Sequence, residues 1–148
     1  MADINNSLHT REDELNQALV LLHFAFRAVI ARPDAILDSH GLSRVHHRIL
    51  YFVGRNPCLS VNDLLKILGV SRQSLNGPLQ QLIEMSLIQT EPDKHDSRIK
   101  RLSLSKSGQS LESILSGDQR QRFAKVFSEL GSKDEAAWRR VMARLAEK

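Results

Sequence analysis

SVNDLLKILGVSRQSLNGPLQQLIEMSLIQTEPDKHDSRIKRLSL, residues 60–104, is the stretch on which the fold turns. Ser60 can cap a helix and Asp63 sits favourably in its first turn, because a helix N-terminus leaves amides unpaired and carries partial positive charge. Leu64, Leu65, Ile67 and Leu68 are expected to supply the buried side, and Gly69 ends the element. Val70 is expected to pack inward, and Ser71 caps a second helix running to about Met85, with Leu75, Leu79, Leu82 and Ile83 as its core face. At Leu87 the period changes. Leu87–Thr90 looks like a strand, Glu91–Ser97 is a polar turn, and Ile99–Leu104 alternates like a returning strand. Helix, short glycine turn, helix and hairpin together spell a helix-turn-helix followed by a wing. The fold class is therefore mainly α (α+β), a winged helix-turn-helix with a small β-hairpin wing.

The pattern extends both ways from this centre. Upstream, Leu42, Val45, His46, Ile49, Leu50 and Val53 share a face of a helix over Ser43–Arg55, stopped by Asn56-Pro57. A longer helix is expected over Glu12–Ala31, ending before Arg32-Pro33, with a short segment Ile36–His40 closed by Gly41. Leu15, Leu19, Leu22 and Phe26 form one stripe of that helix, yet Val20, Leu21 and Phe24 fill much of the rest. A helix apolar nearly all round needs cover on more than one side. A partner subunit supplies it most simply, since symmetric pairing is the commonest oligomeric solution; the competing reading is the central helix of a monomer. Downstream, Ser105 can cap a helix bearing Leu111, Ile114 and Leu115. Phe123, Val126, Phe127 and Leu130 continue the pattern beyond Ser116-Gly117-Asp118, which reads as a break or a weak point. Ser132-x-x-Glu135 resembles a capping box for a last helix with Trp138, Val141, Met142 and Leu145 on one side.

The bulk properties fit a small binding protein. The chain has 148 residues, enough for one domain, and a formal net charge of +4, which favours polyanionic partners without identifying one. A single cysteine, Cys58, rules out an internal disulfide and fits a reducing compartment; in Asn56-Pro57-Cys58-Leu59 it reads as a small apolar residue entering the structure. The opening MADINNSLHTRED is too polar for a signal peptide, and Ala18–Ala31 is too short and too interrupted to span a bilayer. The expectation is a cytoplasmic protein with no membrane partner. No glycine-rich phosphate loop, metal-ligand spacing or elbow-type serine is present, so no enzyme, no metal site and no cofactor are expected.

Placement is more informative than net charge. Ser71, Arg72, Gln73, Ser74 and Asn76 cluster in the first two turns of the second helix. Glutamine and asparagine can pair bidentately with adenine, arginine with guanine, and serine with phosphate or base. On the wing, Lys94, His95, Arg98 and Lys100, with Arg101 behind, make a basic edge suited to a narrow, electronegative minor groove. Asp96 lies two residues before Arg98, close enough to brace its guanidinium.

Pro92-Asp93-Lys94-His95-Asp96-Ser97-Arg98, followed by Leu102-Ser103-Leu104-Ser105-Lys106-Ser107-Gly108, resembles the wing of the MarR family: an Asp-x-Arg pair, a hydrophobic strand, and a Leu-Thr-x-x-Gly opening of a long helix. Ser105 stands where threonine is usual. Gly69-Val70-Ser71-Arg72-Gln73 and Leu82-Ile83-x-x-x-Leu87-Ile88 also match that family's recognition-helix frame. The resemblance implies one domain over 1–148, with a DNA-binding lobe at 42–104 flanked by dimerisation helices at 12–31 and 105–148. It further implies a homodimer on a pseudo-palindromic double-stranded operator, with Arg98 in the minor groove and Asp96 orienting it. The expected function is a sequence-specific repressor; the alternative is a winged-helix protein-interaction module without DNA binding.

Gly77-Pro78 departs from the family pattern. An interior proline loses an amide bond and crowds the carbonyl of Ser74, so a kink or offset is expected between Ser74 and Pro78. The resemblance also implies a small-molecule effector entering between the dimerisation helices and the lobe, near His40, His46, His47 and Arg48. Adjacent His46 and His47 point to different sides of a helix and cannot easily share one metal, and His46 reads as a partly buried, hydrogen-bonded residue.

Overall fold

The computed structural model describes residues 10–148. The reading of the first nine residues as part of a polar N-terminus without a signal peptide lies outside the described residues. The element order is α1 (Arg11–Ser39), α2 (Arg44–Arg55), β1 (Leu59–Ser60), α3 (Val61–Leu68), α4 (Arg72–Glu84), β2 (Ile88–Pro92), β3 (Lys100–Leu104), α5 (Lys106–Leu130) and α6 (Ser132–Leu145). No helix of the described residues is long and apolar enough to cross a membrane.

α1 opens with a reciprocal capping box. The Thr10 hydroxyl accepts from the Asp13 amide, and the Asp13 carboxylate accepts from the Thr10 amide. The helix does not stop at Arg32-Pro33. It runs through Pro33, and the expected short segment Ile36–His40 is its last turn. An interior proline costs about 3 kcal/mol, but Pro33 and Leu37 are fully buried. Burial of a leucine alone offsets about 1.5–3 kcal/mol, and with the burial of Pro33 itself packing compensates the local penalty. Gly41, in the left-handed region at φ 68°, closes the helix: its amide bonds to the Asp38 carbonyl and the Leu42 amide to the Leu37 carbonyl.

α2, α3 and α4 enclose the core with the small sheet. Leu37, Ile49, Leu50, Leu64, Leu75, Leu82, Ile88, Leu102 and Leu115 are its most deeply buried side chains. Ile67 is half exposed instead of buried. At about 100° per residue the face shared by Val61, Leu64, Leu65 and Leu68 lies roughly 110° from Ile67. Val70 is exposed as well, so the turn between α3 and α4 does not carry it inward.

The sheet has three strands in the order β1-β3-β2, all antiparallel. Leu59 pairs with Leu102, and the hairpin register runs from Ile88↔Leu104 to Pro92↔Lys100. Two-residue β1 is too short to leave a periodic trace in the sequence. Cys58, immediately before it, is exposed, with φ 65°, so its side chain does not enter the core.

α5 passes through Ser116-Gly117-Asp118 without a break, because buried Ser116 is tied to Glu112 one turn back and to His47 on α2. At its start Gly108 presses against the hairpin: a Cβ there would stand 2.0 Å from the Leu87 carbonyl oxygen. Ser132 is the first residue of α6, not its cap. Gly131 occupies that place without a side-chain bond, so the expected capping box does not form. The predicted stripe of α1 is open to solvent, with Leu19 67% exposed, and Val20, Leu21 and Phe24 are exposed too. Ile114 on α5, and Val141 and Leu145 on α6, are likewise exposed.

Candidate nucleic-acid interface

The Ser71 hydroxyl accepts from the Ser74 amide at 3.2 Å and donates to the Ser74 hydroxyl at 3.0 Å. Both serines are therefore engaged in opening α4, which runs unbroken through Gly77-Pro78 to Glu84. Arg72, Gln73, Ser74 and Asn76 are all exposed, while Leu75, Leu79 and Leu82 face the core. This is the division of labour expected of a recognition helix, with apolar residues supporting it and polar residues facing outward. Arg72 reaches back to donate to the Asn62 side-chain oxygen, Oδ1, on α3. Nothing in the sequence singled out Asn62.

The wing tip is built on two carboxylates. Asp93 accepts the amides of His95 and Asp96, each at 3.1 Å, and takes the Arg101 guanidinium at 2.9–3.0 Å. Arg101 also donates to the Cys58 carbonyl at 3.4 Å, linking the wing to the segment before β1. It is thus a brace, not an outward cation. Asp96 receives Arg98 in a bidentate pair, Nε at 3.0 Å and Nη2 at 3.1 Å, and also accepts the Arg98 amide. Paired in this way, the Arg98 side chain remains 89% exposed. The Arg98 side-chain and backbone bonds hold the Asp96 carboxyl below its ordinary range. The His95 amide and then the Arg101 side chain do the same for Asp93. Both acids stay ionised, and the guanidinium keeps a fixed aim.

Between α3, α4 and the sheet lies a groove of about 560 Å³, lined by Asn62, Arg72, Asn76, Thr90, Arg98 and Lys100 among others. It brings together four of the residues singled out from sequence: Arg72, Asn76, Arg98 and Lys100. Gln73 and Ser74 lie outside its lining, as do Lys94, His95 and Asp96 of the wing.

A second groove, about 410 Å³, lies between α1, α2 and α5, lined by Phe26, Ile30, Arg44, His47, Arg48 and Tyr51 with Gln119. Of the four residues expected near an effector, His47 and Arg48 are there. His40 and His46 are not. The His40 ring bonds to the Ile36 carbonyl at 2.9 Å, and His46 bridges Ser43 and Gln81. His47 Nε2 meets the Ser116 hydroxyl at 3.1 Å; that hydroxyl donates to Glu112 at 2.8 Å, and Arg55 pairs with the same carboxylate oxygen at 3.1 Å. Burial lowers the His47 pKa from its ordinary value, against the opposing pull of Glu112 and Asp34. This serine, histidine and glutamate do not form a nucleophilic triad. The carboxylate accepts the serine's hydrogen bond instead of orienting the imidazole, and Ser116 is only 2% exposed.

Comparison with known proteins agrees with this geometry. The MarR family model matches residues 40–99. PetP, an HTH-type transcriptional regulator of Rhodobacter capsulatus, is 36% identical over 135 residues, covering 91% of this chain and 81% of PetP. The chain belongs to the MarR family. It is a MarR family transcriptional regulator with the winged-helix DNA-binding fold. Solved structures share that fold. NadR in complex with 4-hydroxyphenylacetate superposes with a TM-score of 0.70 at 23% identity, covering 86% of this chain and 91% of NadR. A mutant of MepR from S. aureus bound to an oligodeoxyribonucleotide gives 0.60 at 18% identity, covering 86% and 94%. Gly77-Pro78 falls inside the matched segment.

Proposed function

We propose that this MarR family protein is a cytoplasmic, homodimeric, sequence-specific repressor that carries α4 in the major groove of a pseudo-palindromic operator and Arg98 in the adjoining minor groove. The observation that carries the reading is the shared groove of Arg72, Asn76, Arg98 and Lys100, with Arg98 held outward by Asp96. Two arginines, a lysine and an asparagine in one groove suit phosphates and base edges. The exposed guanidinium of Arg98 and the membership in a family of transcriptional regulators favour DNA over a protein-interaction module. Homodimerisation through α1, α5 and α6 is supported by the exposed apolar residues of those helices.

The groove between α1, α2 and α5 fits an effector with an apolar body and an anionic head. Phe26, Ile30 and Tyr51 offer the apolar wall and Arg44 and Arg48 the charge. Arg44 is already paired with Asp34 at 3.3 Å, so Arg48 is the better partner for the head. MepR, crystallised with an oligodeoxyribonucleotide, and NadR, crystallised with a hydroxylated aromatic acid, lend both halves of the proposal precedent.

Selection of duplexes from a random pool with the purified protein, followed by footprinting, tests the reading. The expected result is a two-fold symmetric footprint with half-sites about one helical turn apart. Binding that shows no sequence preference at low salt would reject it.

A further inference from the structure

Gln81 on α4 makes two bonds that the reading of bases does not require. Its oxygen meets His46 Nε2 at 2.9 Å, and its nitrogen donates to the Gly41 carbonyl at 3.3 Å. The protonation pattern follows from the neighbours. The Ser43 amide can only donate, and it points at His46 Nδ1 at 3.0 Å, so Nδ1 is the unprotonated nitrogen and Nε2 carries the hydrogen. The Gln81 oxygen accepts that hydrogen, which leaves its NH₂ group for Gly41. His46 is only 7% exposed, and the Gln81 oxygen is the acceptor that the described residues give its N–H. Gln81 thereby ties α4 to the N-terminal cap of α2 and to the turn that closes α1.

The tie matters because of what lies between Gln81 and the outward-facing residues. Pro78 provides no amide to bond the Ser74 carbonyl, and a Cβ at Gly77 would meet nothing within 4 Å, so this turn is one backbone bond short and has no side chain packed at Gly77. The apolar contacts of Leu75, Leu79 and Leu82 hold α4 against the core but are not directional. Hydrogen bonds are. On the near side of the soft turn α4 is fixed by the Ser71 cap and the Arg72–Asn62 contact, and on the far side by Gln81. Bidentate base recognition tolerates errors of only about 0.5 Å and 10–20°.

We propose that Gln81 is a positioning residue for sequence readout: it sets the roll of α4 against α2 so that Arg72, Gln73 and Asn76 meet base edges in register. The inference rests on the DNA-binding reading above and adds to it the residue that keeps the soft-centred recognition helix aligned.

The test compares Gln81→Met, Gln81→Glu and the wild-type chain on two duplexes, one selected by the wild type from a random pool and one a scramble of it. Fluorescence anisotropy gives both affinities, and a urea titration gives stability. Met keeps the length of the side chain and removes both bonds. Its affinity for the selected duplex is expected to fall about tenfold, while its affinity for the scramble and its salt slope stay within about twofold of wild type. Glu still accepts from His46 Nε2, so its ratio of the two affinities is expected to remain within about threefold of wild type. A Gln81→Met ratio equal to that of wild type overturns the inference and leaves the DNA reading standing. Loss of both affinities together with the urea midpoint also overturns it, because Gln81 would then serve only folding. A wild-type chain that does not distinguish the duplexes overturns the DNA reading, and the inference with it.

Discussion

The lobe from α2 to β3 and the helices that flank it satisfy their apolar residues in opposite ways. In the lobe, Ile49, Leu50, Leu64, Leu75, Leu82, Ile88 and Leu102 are buried within one chain. On α1, α5 and α6, residues of the same chemistry are exposed, among them Leu15, Leu19, Leu22, Phe26, Ile114, Val126, Leu130, Val141 and Leu145. The lobe's apolar residues are covered within one chain, with Leu37 of α1 and Leu111 and Leu115 of α5 completing its core, whereas the outer faces of the flanking helices carry apolar surface left open to solvent. Buried polar groups mark the joint between them. The His47–Ser116–Glu112–Arg55 chain ties α2 to α5, and Gly108 lets the start of α5 lie directly against Leu87.

The sharpest way to break this division is at the joint. Gly108→Ala would drive a methyl group into the Leu87 backbone, and a loss of about 3 kcal/mol in urea-denaturation stability is expected. A variant as stable as wild type would show that α5 is not seated on the hairpin. Next in size, Leu19→Glu should weaken self-association more than about tenfold, read by sedimentation, and lower the melting temperature. Ile67→Glu, on the outer side of α3, should change stability by less than about 0.5 kcal/mol. Equal effects at the two positions would erase the contrast between an open arm and a closed lobe.

Arg98→Ala probes the outward face of the lobe. Operator affinity is expected to drop about tenfold or more with no change in the urea midpoint, since the Asp96–Arg98 pair is exposed and supports no core. Unaltered binding would remove the wing from the interface.

A smaller effect is expected from acid. His47 has a lowered pKa in the folded chain, so below its ordinary value of 6.5 the unfolded chain takes up a proton that the folded chain resists. Stability should therefore fall as pH decreases through that window, and His47→Gln should flatten the slope. Asp93 and Asp96, whose pKa values are also lowered, contribute above their ordinary value of 3.8 and lose that contribution only in stronger acid. One substitution is expected to stabilise: Gly77→Ala. With open space at its Cβ, alanine should stabilise α4 by about 0.5–1 kcal/mol, measured in urea.

Much of the lobe was legible from residues 60–104, because its signals are local. Ser60, Ser71 and Ser105 each cap the helix that follows, and each accepts the amide three residues on. The spacing of Asp96 and Arg98 likewise contained their ion pair. Where the reading missed, long-range packing overruled a local rule. Pro33 looks like a break and Ser116-Gly117-Asp118 like a break or a weak point, yet burial of Leu37 and the bonds of Ser116 carry their helices through. Arg101 looks like one more wing cation until Asp93 and the Cys58 carbonyl are seen to occupy it. His46 and His47 are both expected near an effector, but only His47 lines a groove, because His46 faces Gln81.

The amino-acid sequence alone determined the order of elements, the capped starts of three helices, the hairpin and its Asp96–Arg98 pair, since each depends on residues within a few positions of one another. Tertiary structure alone decided the third strand, the continuity of α1 and α5, which cations face outward, and which histidine lines a groove. Those outcomes depend on groups far apart in the chain, whose burial and hydrogen bonding are worth as much as the local preferences they override.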